Sequence, residues 1–89
     1  MTEHKIASRS CVDPEGNPRR FHYYLTVDLE ESPRFCLEHY GVRVTEDAGS
    51  TTLLPAITTS PTRIDELITL LVDNTVGPAG LEDVVSDWK

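Results

Sequence analysis

The segment Phe21-His-Tyr-Tyr-Leu-Thr-Val-Asp-Leu29 alternates between apolar and more polar side chains. Successive side chains of a β-strand point to opposite faces of the sheet, so every second residue shares a face. One face receives Phe21, Tyr23, Leu25, Val27 and Leu29. The opposite face receives His22, Tyr24, Thr26 and Asp28. This pattern predicts a strand over residues 20–29, and it is the clearest strand in the chain.

A second strand precedes this segment. Residues 5–12 are rich in residues compatible with a strand, and Asp13-Pro-Glu-Gly-Asn-Pro18 separates them from residues 20–29. Two prolines, a glycine and two Asx residues are typical of a turn. The two segments are therefore expected to form a β-hairpin with a rather long loop.

Two more strands are expected after the hairpin. Residues 34–45 form the third, and their apolar positions change parity near residues 39–41, which predicts a β-bulge or a break there. Residues 52–58 form the fourth. Its Pro55 cannot donate a hydrogen bond to a neighbouring strand, so this strand is expected at an edge of the sheet.

The apolar period becomes helical after residue 60. Ser60 can cap free amide groups and Pro61 suits the first helical position, so a helix is expected from Pro61 to about Asp73. Asn74 is expected to end it in the left-handed conformation. The apolar side chains of this helix cover an arc of roughly 200°: Ile64, Leu67, Ile68, Leu70, Leu71 and Val72.

A second, short helix is expected to begin at Gly77-Pro78 and to end the chain. Its apolar residues recur at helical spacing: Leu81, Val84, Val85 and Trp88. The wide arc of the first helix is then divided between the sheet and the second helix. Leu70 and Val72 lie at opposite margins of that arc, and together with Trp88 they form the predicted interaction surface.

The whole pattern predicts an α+β fold in one domain, residues 1–89. A small antiparallel sheet of about four strands, residues 5–58, is followed by two C-terminal helices, residues 61–88, packed on one face. The chain is short, so the core is thin.

Composition excludes several classes of function. Among the 89 residues, 15 acidic side chains outnumber 8 basic ones, and the net charge is −7. Arg19-Arg20 is the one adjacent basic pair, so nucleic-acid binding is not expected, because it needs clustered Lys and Arg against the phosphates. An acidic surface that imitates nucleic acid is a further hypothesis.

The sequence also predicts a location. No apolar run reaches the roughly 20 residues that span a bilayer, and the first residues do not form a secretion signal. We therefore expect a cytoplasmic protein without membrane contact. Its two cysteines, Cys11 and Cys36, are then expected as reduced thiols.

From about Tyr23 to Trp88 the chain resembles a family of short bacterial proteins, chiefly clostridial, that is catalogued as a domain of unknown function. Four motifs carry the resemblance: Tyr24-Leu25, Tyr40-Gly41-Val42, Ile57-Thr-Thr-Ser60, and Asn74-x-Val76-x-Pro78-x-x-Leu81-x-Asp83-Val-Val-x-Asp87-Trp88. The chain departs from the pattern at Gly77, where a hydroxyl residue would cap the second helix better. The resemblance implies a small sheet with a terminal helical pair, and it implies no activity.

Possible metal ligands are scattered along the chain: His4, Cys11, His22, Cys36 and His39. Zinc needs four such ligands in a tetrahedron, but a regular strand places Cys36 and His39 on opposite faces. No nucleophile, base and orienting group can be named together, so no catalytic, cofactor-binding or metal-binding residue is assigned and no enzyme is expected.

The leading hypothesis is a non-catalytic cytoplasmic protein-interaction or regulatory module that acts through a protein partner or as a homodimer. The alternative is a small-ligand or metal-binding domain around His22, Cys36, His39 and Tyr40.

Overall fold

The structure is a computed structural model that describes residues 1–47 and 49–89. Four strands form one antiparallel sheet in the order β1-β2-β3-β4. The strands span Thr2–Val12, Pro18–Glu31, Cys36–Glu46 and Thr51–Thr58. They are followed by helix α1, a 3₁₀ turn and helix α2, which span Pro61–Asp73, Pro78–Gly80 and Leu81–Trp88. The predicted α+β fold is confirmed.

The first two strands form the expected hairpin, and Asp13 organises its loop. One carboxylate oxygen of Asp13 accepts hydrogen bonds from the backbone amides of Glu15 and Asn17, at 3.0 and 2.8 Å. Gly16 follows with φ of 86°, a conformation that glycine adopts without a steric penalty. β1 also contains a bulge at Ile6, between Lys5 and Ala7, that the sequence analysis did not anticipate.

The irregularity expected in β3 lies in β4 instead. β2 and β3 pair without interruption along the whole length of β3. Between β3 and β4, Tyr40 pairs with Thr58 but Val42 pairs with Leu54. Two steps along β3 match four steps along β4, so β4 holds the bulge, and the prediction of a bulge or break in β3 was wrong.

The parity change that suggested a bulge has another cause. Leu37 belongs to the outer face of the sheet, which no helix covers, whereas Tyr40, Val42 and Val44 belong to the inner face under the helices. Both faces of β3 therefore carry apolar side chains. The predicted edge position of the strand with Pro55 is confirmed, because β4 is the last strand in the sheet.

The hydrophobic core lies between the inner face and the two helices. Its buried members come from β2, β3, α1 and α2: Phe21, Tyr23, Val42, Val44, Ile64, Leu67, Ile68, Leu71, Leu81 and Val85. Burying such side chains contributes roughly 1.5–3 kcal/mol each relative to exposure. The helices thus cover the Phe21 end of β2, while Leu29 near the other end is 56% exposed.

Helix α1 begins as predicted and ends differently. Ser60 is its N-cap, and its hydroxyl accepts a hydrogen bond from the Arg63 amide at 3.2 Å. At the other end Asn74 has φ of −98°, and its side chain donates to the Leu70 carbonyl at 2.8 Å. Thr75 has the left-handed conformation, with φ of 50°. The expected left-handed Asn74 was wrong because its amide side chain caps the helix directly.

The sheet narrows at one end to a two-stranded extension of β2 and β3. Pairing of β1 with β2 stops where Thr2 meets Val27, and pairing of β4 with β3 stops where Thr58 meets Tyr40. β2 and β3 continue to pair beyond these points, as far as Glu31 and Cys36. We call residues 28–39 the hairpin arm. The arm contributes to a long molecule, 54 by 23 by 17 Å.

Candidate interaction surface

The hairpin arm has two open edges. Within the described residues, no third strand lies beside Asp28–Glu31 or beside Cys36–His39. In an antiparallel ribbon, alternate residues turn their backbone N–H and C=O groups toward the partner strand and the remaining ones outward. Each edge of the arm therefore presents a row of backbone donors and acceptors to solvent.

The arm exposes large apolar side chains on both faces. Leu29 is 56% exposed, Phe35 47% and Leu37 41%. Leu29 pairs with Glu38 on the inner face, whereas Leu37 pairs with Glu30 on the outer face. The buried core residues of the sheet all lie on the far side of the Val27–Tyr40 pair from the arm. The helices therefore cover neither face of the arm.

A polar turn closes the tip of the arm. The Ser32 hydroxyl accepts hydrogen bonds from the backbone amides of Arg34 and Phe35, at 3.3 and 3.2 Å. The Ser32 amide in turn donates to the Phe35 carbonyl at 2.8 Å. Pro33 fixes its own φ inside this turn. These bonds fix the backbone of residues 32–35 at the tip of the arm.

The arm is acidic, and several of its carboxylates have local partners. His39 and Glu30 approach to 2.6 Å across the two strands. The Tyr40 hydroxyl donates to Glu38 at 2.6 Å, and this bond raises the pKa of Tyr40 above its ordinary value of 10.0. The terminal amino group lies 3.8 Å from Asp28. All of these pairs are substantially exposed, so each contributes little to stability.

The interaction surface predicted from the helices is mostly packed. Val72 and Trp88 are half-buried and pack against the core. The Arg63 guanidinium lies over the Trp88 ring, 4.3 Å from its centroid. Leu70, at 39% exposure, is the large exposed apolar residue of the set. The three residues therefore do not form a broad apolar patch.

A hydrogen-bonded chain crosses the outer face of the sheet near the opposite end from the arm. Ser8 Oγ lies 2.8 Å from His22 Nδ1, and His22 Nε2 lies 2.5 Å from Asp47 Oδ1. The bond with His22 lowers the pKa of Asp47 below its ordinary value of 3.8. An ionised carboxylate can only accept, so Nε2 carries a proton, and in the neutral imidazole Nδ1 accepts from the Ser8 hydroxyl.

Ser8, His22 and Asp47 are hydrogen-bonded in the same order as the serine nucleophile, the base and the orienting acid of a hydrolase. Its setting is unlike that of a hydrolase, since the Asp47 side chain is 62% exposed and its charge is screened by water. Ser8 also does not line the groove between the first hairpin and the end of β3. A second polar group lies nearby, where Arg43 stacks 4.5 Å from the Tyr24 ring and pairs with Glu3 at 2.7 Å.

An open groove of about 510 Å³ lies at the end of the sheet remote from the arm. Its walls come from the first hairpin and the end of β3: Ser10, Cys11, Val12, Pro18, Arg19, Arg20, Glu46 and Asp47. Two arginines and two carboxylates balance in charge, and Arg19 is already hydrogen-bonded to Glu46. The groove therefore has little unpaired charge with which to select a ligand.

The residues of the predicted ligand site do not converge. His22 pairs with Thr45 and His39 with Asp28, so the two histidines are six strand positions apart, roughly 20 Å. Cys36 and Tyr40 belong to the inner face, and both histidines to the outer face. In residues 1–47 and 49–89, no group of three or more His, Cys, Asp or Glu side chains is arranged to hold a metal ion.

The two cysteines are also far apart. Cys11 pairs with Arg19 and Cys36 with Glu31, twelve positions along β2, which is about 40 Å. Both are free thiols, and Cys36 on the arm is exposed. His4 pairs with Leu25, distant from both cysteines.

The features of greatest interest were missed by the sequence analysis. The arm was interpreted as ordinary sheet, although Pro33, between two expected strands, was a visible signal of a turn. Ser8, His22 and Asp47 are far apart in the sequence, so no local pattern could have brought them together.

The fold and the arm define a small α+β domain with an extended β-ribbon. The chain belongs to the family of unknown function DUF6514, whose profile matches residues 2–89. This confirms the resemblance to a short uncharacterised domain and extends it to β1. No curated protein and no solved structure matches the chain. Along the described part of the chain, no helix is long and apolar enough to cross a membrane.

Proposed function

We propose that this chain is a non-catalytic cytoplasmic protein-interaction or regulatory module, and that the hairpin arm is its binding element. The observation that carries the proposal is the coincidence of open backbone edges with the exposed side chains of Leu29, Phe35 and Leu37.

The physical argument begins with the cost of such an arm. A two-stranded ribbon is marginally stable in water, and open edges invite unwanted pairing with other chains. Exposed apolar side chains add to that liability. Large apolar side chains left exposed beside charged ones mark protein interaction sites. A partner that covers the arm removes both costs at once.

Other surfaces support binding less well. The outer face near Ser8 and His22 is polar, and its side chains are engaged with one another. On α1, Leu70 stands apart from Val72 and Trp88, which pack against the core. The arm is therefore preferred to these two surfaces as the binding element.

A cytoplasmic location is part of the same proposal. Cys36 is a free thiol on the exposed arm, and Cys11 lies too far away to pair with it. Unpaired exposed thiols suit a reducing compartment.

Site-specific photo-crosslinking in living cells tests the proposal. p-Benzoylphenylalanine replaces Phe35 at the tip of the arm, which keeps an aromatic ring there, or replaces Asp65 on the exposed side of α1 as the control. We expect a discrete adduct from position 35 and none from position 65.

The mass of the adduct separates the two kinds of partner. An adduct of twice the 9.9 kDa chain mass indicates a homodimer through the arm, and any other discrete mass indicates a different protein. Equal labelling from both positions, or no adduct from position 35, would contradict the arm as the binding element.

A further inference from the structure

We infer that the partner of the hairpin arm is an extended, Lys/Arg-rich protein segment that adds to one edge of the arm as a third strand. The inference rests on the proposed function and specifies the chemistry of the partner. It follows from three properties of the arm: its backbone edges, its charge and the arrangement of its apolar side chains.

The edges supply the hydrogen bonds. The sheet has four strands up to the start of the arm, where the pairing of β1 with β2 reaches Thr2 and that of β4 with β3 reaches Thr58. An added segment would continue the line of β4 along Cys36–His39. Main-chain hydrogen bonds give affinity in this mode of recognition, and alternate side chains give specificity.

The charge selects a basic segment. The arm contains four carboxylates and one arginine, a net charge of −3 with His39 neutral: Asp28, Glu30, Glu31, Arg34 and Glu38. A second copy of the arm would bring the same excess of negative charge to the first, and like charges on neighbouring strands are destabilising. A Lys/Arg-rich segment converts that repulsion into attraction.

The side chains set the pattern of the segment. Leu29 lies on the inner face with Glu38, and Leu37 lies on the outer face with Glu30. Each face of the arm therefore combines an apolar side chain with a carboxylate. Beside Cys36–His39, a strand with an apolar side chain on the outer face and a basic one on the inner face meets Leu37 and Glu38.

A synthetic probe tests the inference with the whole chain. The probe is an acetylated, amidated octapeptide of alternating lysine and valine with a fluorescent label, and binding is followed by anisotropy at fixed ionic strength. A second peptide has the same sequence with alternate backbone nitrogens methylated, which keeps the charge and removes edge donors. A third replaces lysine by glutamate.

We expect the unmethylated lysine peptide to bind at least about tenfold more tightly than either control, because strand addition needs backbone donors as well as charge. Glu38→Gln, beside Leu37 on β3, should weaken binding by about two- to fivefold, the range for an exposed ion pair. Leu37→Ala should weaken it by about fivefold or more. Leu70→Ala is the matched control, with nearly the same exposure on α1, and should leave binding unchanged.

Several results would overturn the inference. If the methylated peptide bound as tightly as the unmethylated one, the contact would depend on charge and not on backbone hydrogen bonds. Equal losses from Leu37→Ala and Leu70→Ala would remove the arm from the contact, provided that amide NMR shifts show both variants folded. If crosslinks form from position 35 while the lysine peptide fails to bind up to about 1 mM, a weak affinity by any standard, the arm remains the binding element and addition of a basic strand is refuted.

Discussion

Replacing Gly41 by alanine tests how closely the β4 bulge packs on the sheet. A Cβ built on Gly41 would meet the Leu54 carbonyl oxygen, the Pro55 Cα at 2.7 Å and the Thr26 hydroxyl at 2.7 Å. Two of these three atoms are backbone, and the third belongs to Thr26, which is completely buried. Neither the bulge nor Thr26 can move aside as a flexible surface side chain would.

The distances set the magnitude. Carbon atoms in favourable contact lie about 3.5 Å apart, so the β4 backbone would have to retreat by roughly 0.8 Å. Overpacking of this kind costs typically 1–3 kcal/mol, and the rigidity of the bulge favours about 2–3 kcal/mol here. At about 4–8 °C per kcal/mol for a domain of this size, the melting temperature should fall by roughly 10–20 °C.

Thermal and urea unfolding followed by circular dichroism measure this loss. Gly80→Ala is the control, because a Cβ there has Val76 Cγ1 at 3.9 Å as its nearest neighbour and Gly80 has φ of −97°. Its stability should stay within about 0.5 kcal/mol of wild type, the usual range for a surface substitution. A Gly41→Ala variant as stable as Gly80→Ala would refute the close approach of β4 to β3.

Three other perturbations have defined outcomes. Tyr23 is 1% exposed, its hydroxyl has no hydrogen-bond partner among the described residues, and burial raises its pKa to about 12. Tyr23→Phe should therefore stabilise the fold by about 1 kcal/mol in urea titrations. It should also reduce the loss of stability that wild type shows as the pH rises from about 10, the ordinary tyrosine value, toward 12; an unchanged alkaline profile would contradict this. Ala56 has φ of 54° in the β4 bulge, so Ala56→Gly should raise the urea midpoint by the equivalent of about 0.5–1 kcal/mol at constant m, whereas a lower midpoint would count against the bulge. His22 lowers the pKa of Asp47 in the folded state. The Asp47–His22 pair therefore stabilises the fold above pH 3.8, and this stabilisation is lost as the pH falls through the folded-state pKa of Asp47. Asp47→Asn should flatten stability against pH between 5 and 2, and an identical acid profile would show that the pair is absent in solution.

Much of the fold could be predicted because local patterns agree with it. The alternation from Phe21 to Leu29 reports a strand with one buried face, and Ser60-Pro61 marks the start of α1 through capping chemistry that depends on neighbouring residues alone. The position of β4 at the edge follows from Pro55, which lacks the backbone N–H that a strand inside a sheet would donate to its neighbour. These features do not depend on the rest of the chain.

The errors arose where structure depends on a neighbouring strand. The β4 bulge was assigned to β3, because periodicity assumes that one face of a strand is polar, and β3 carries Leu37 outward and Val42 inward. The bulge at Ile6 has no sequence signal of its own. Both are properties of paired strands and follow from register, which a single segment does not reveal.

The candidate site was still harder to predict. Exposure of the arm depends on where β4 stops, at Thr58, and not on the composition of the arm itself. The apolar arc of α1 suggested spare surface, but its Val72 packs against the core, as does Trp88 of α2, and Leu70 is left alone. Apolar residues on a helix are therefore a poor guide to an interface until their neighbours are known.

Hydrogen exchange followed by mass spectrometry bears most directly on the hairpin arm as the binding element. In the free chain, amides of residues 28–39 should exchange faster than those of the sheet beneath the helices, because both edges of the arm face solvent. Addition of the lysine–valine octapeptide should slow exchange in residues 28–39 and leave residues 61–89 unchanged. Protection that appears in α1 and α2, or around the groove at residues 10–20, with no change in the arm, would contradict it.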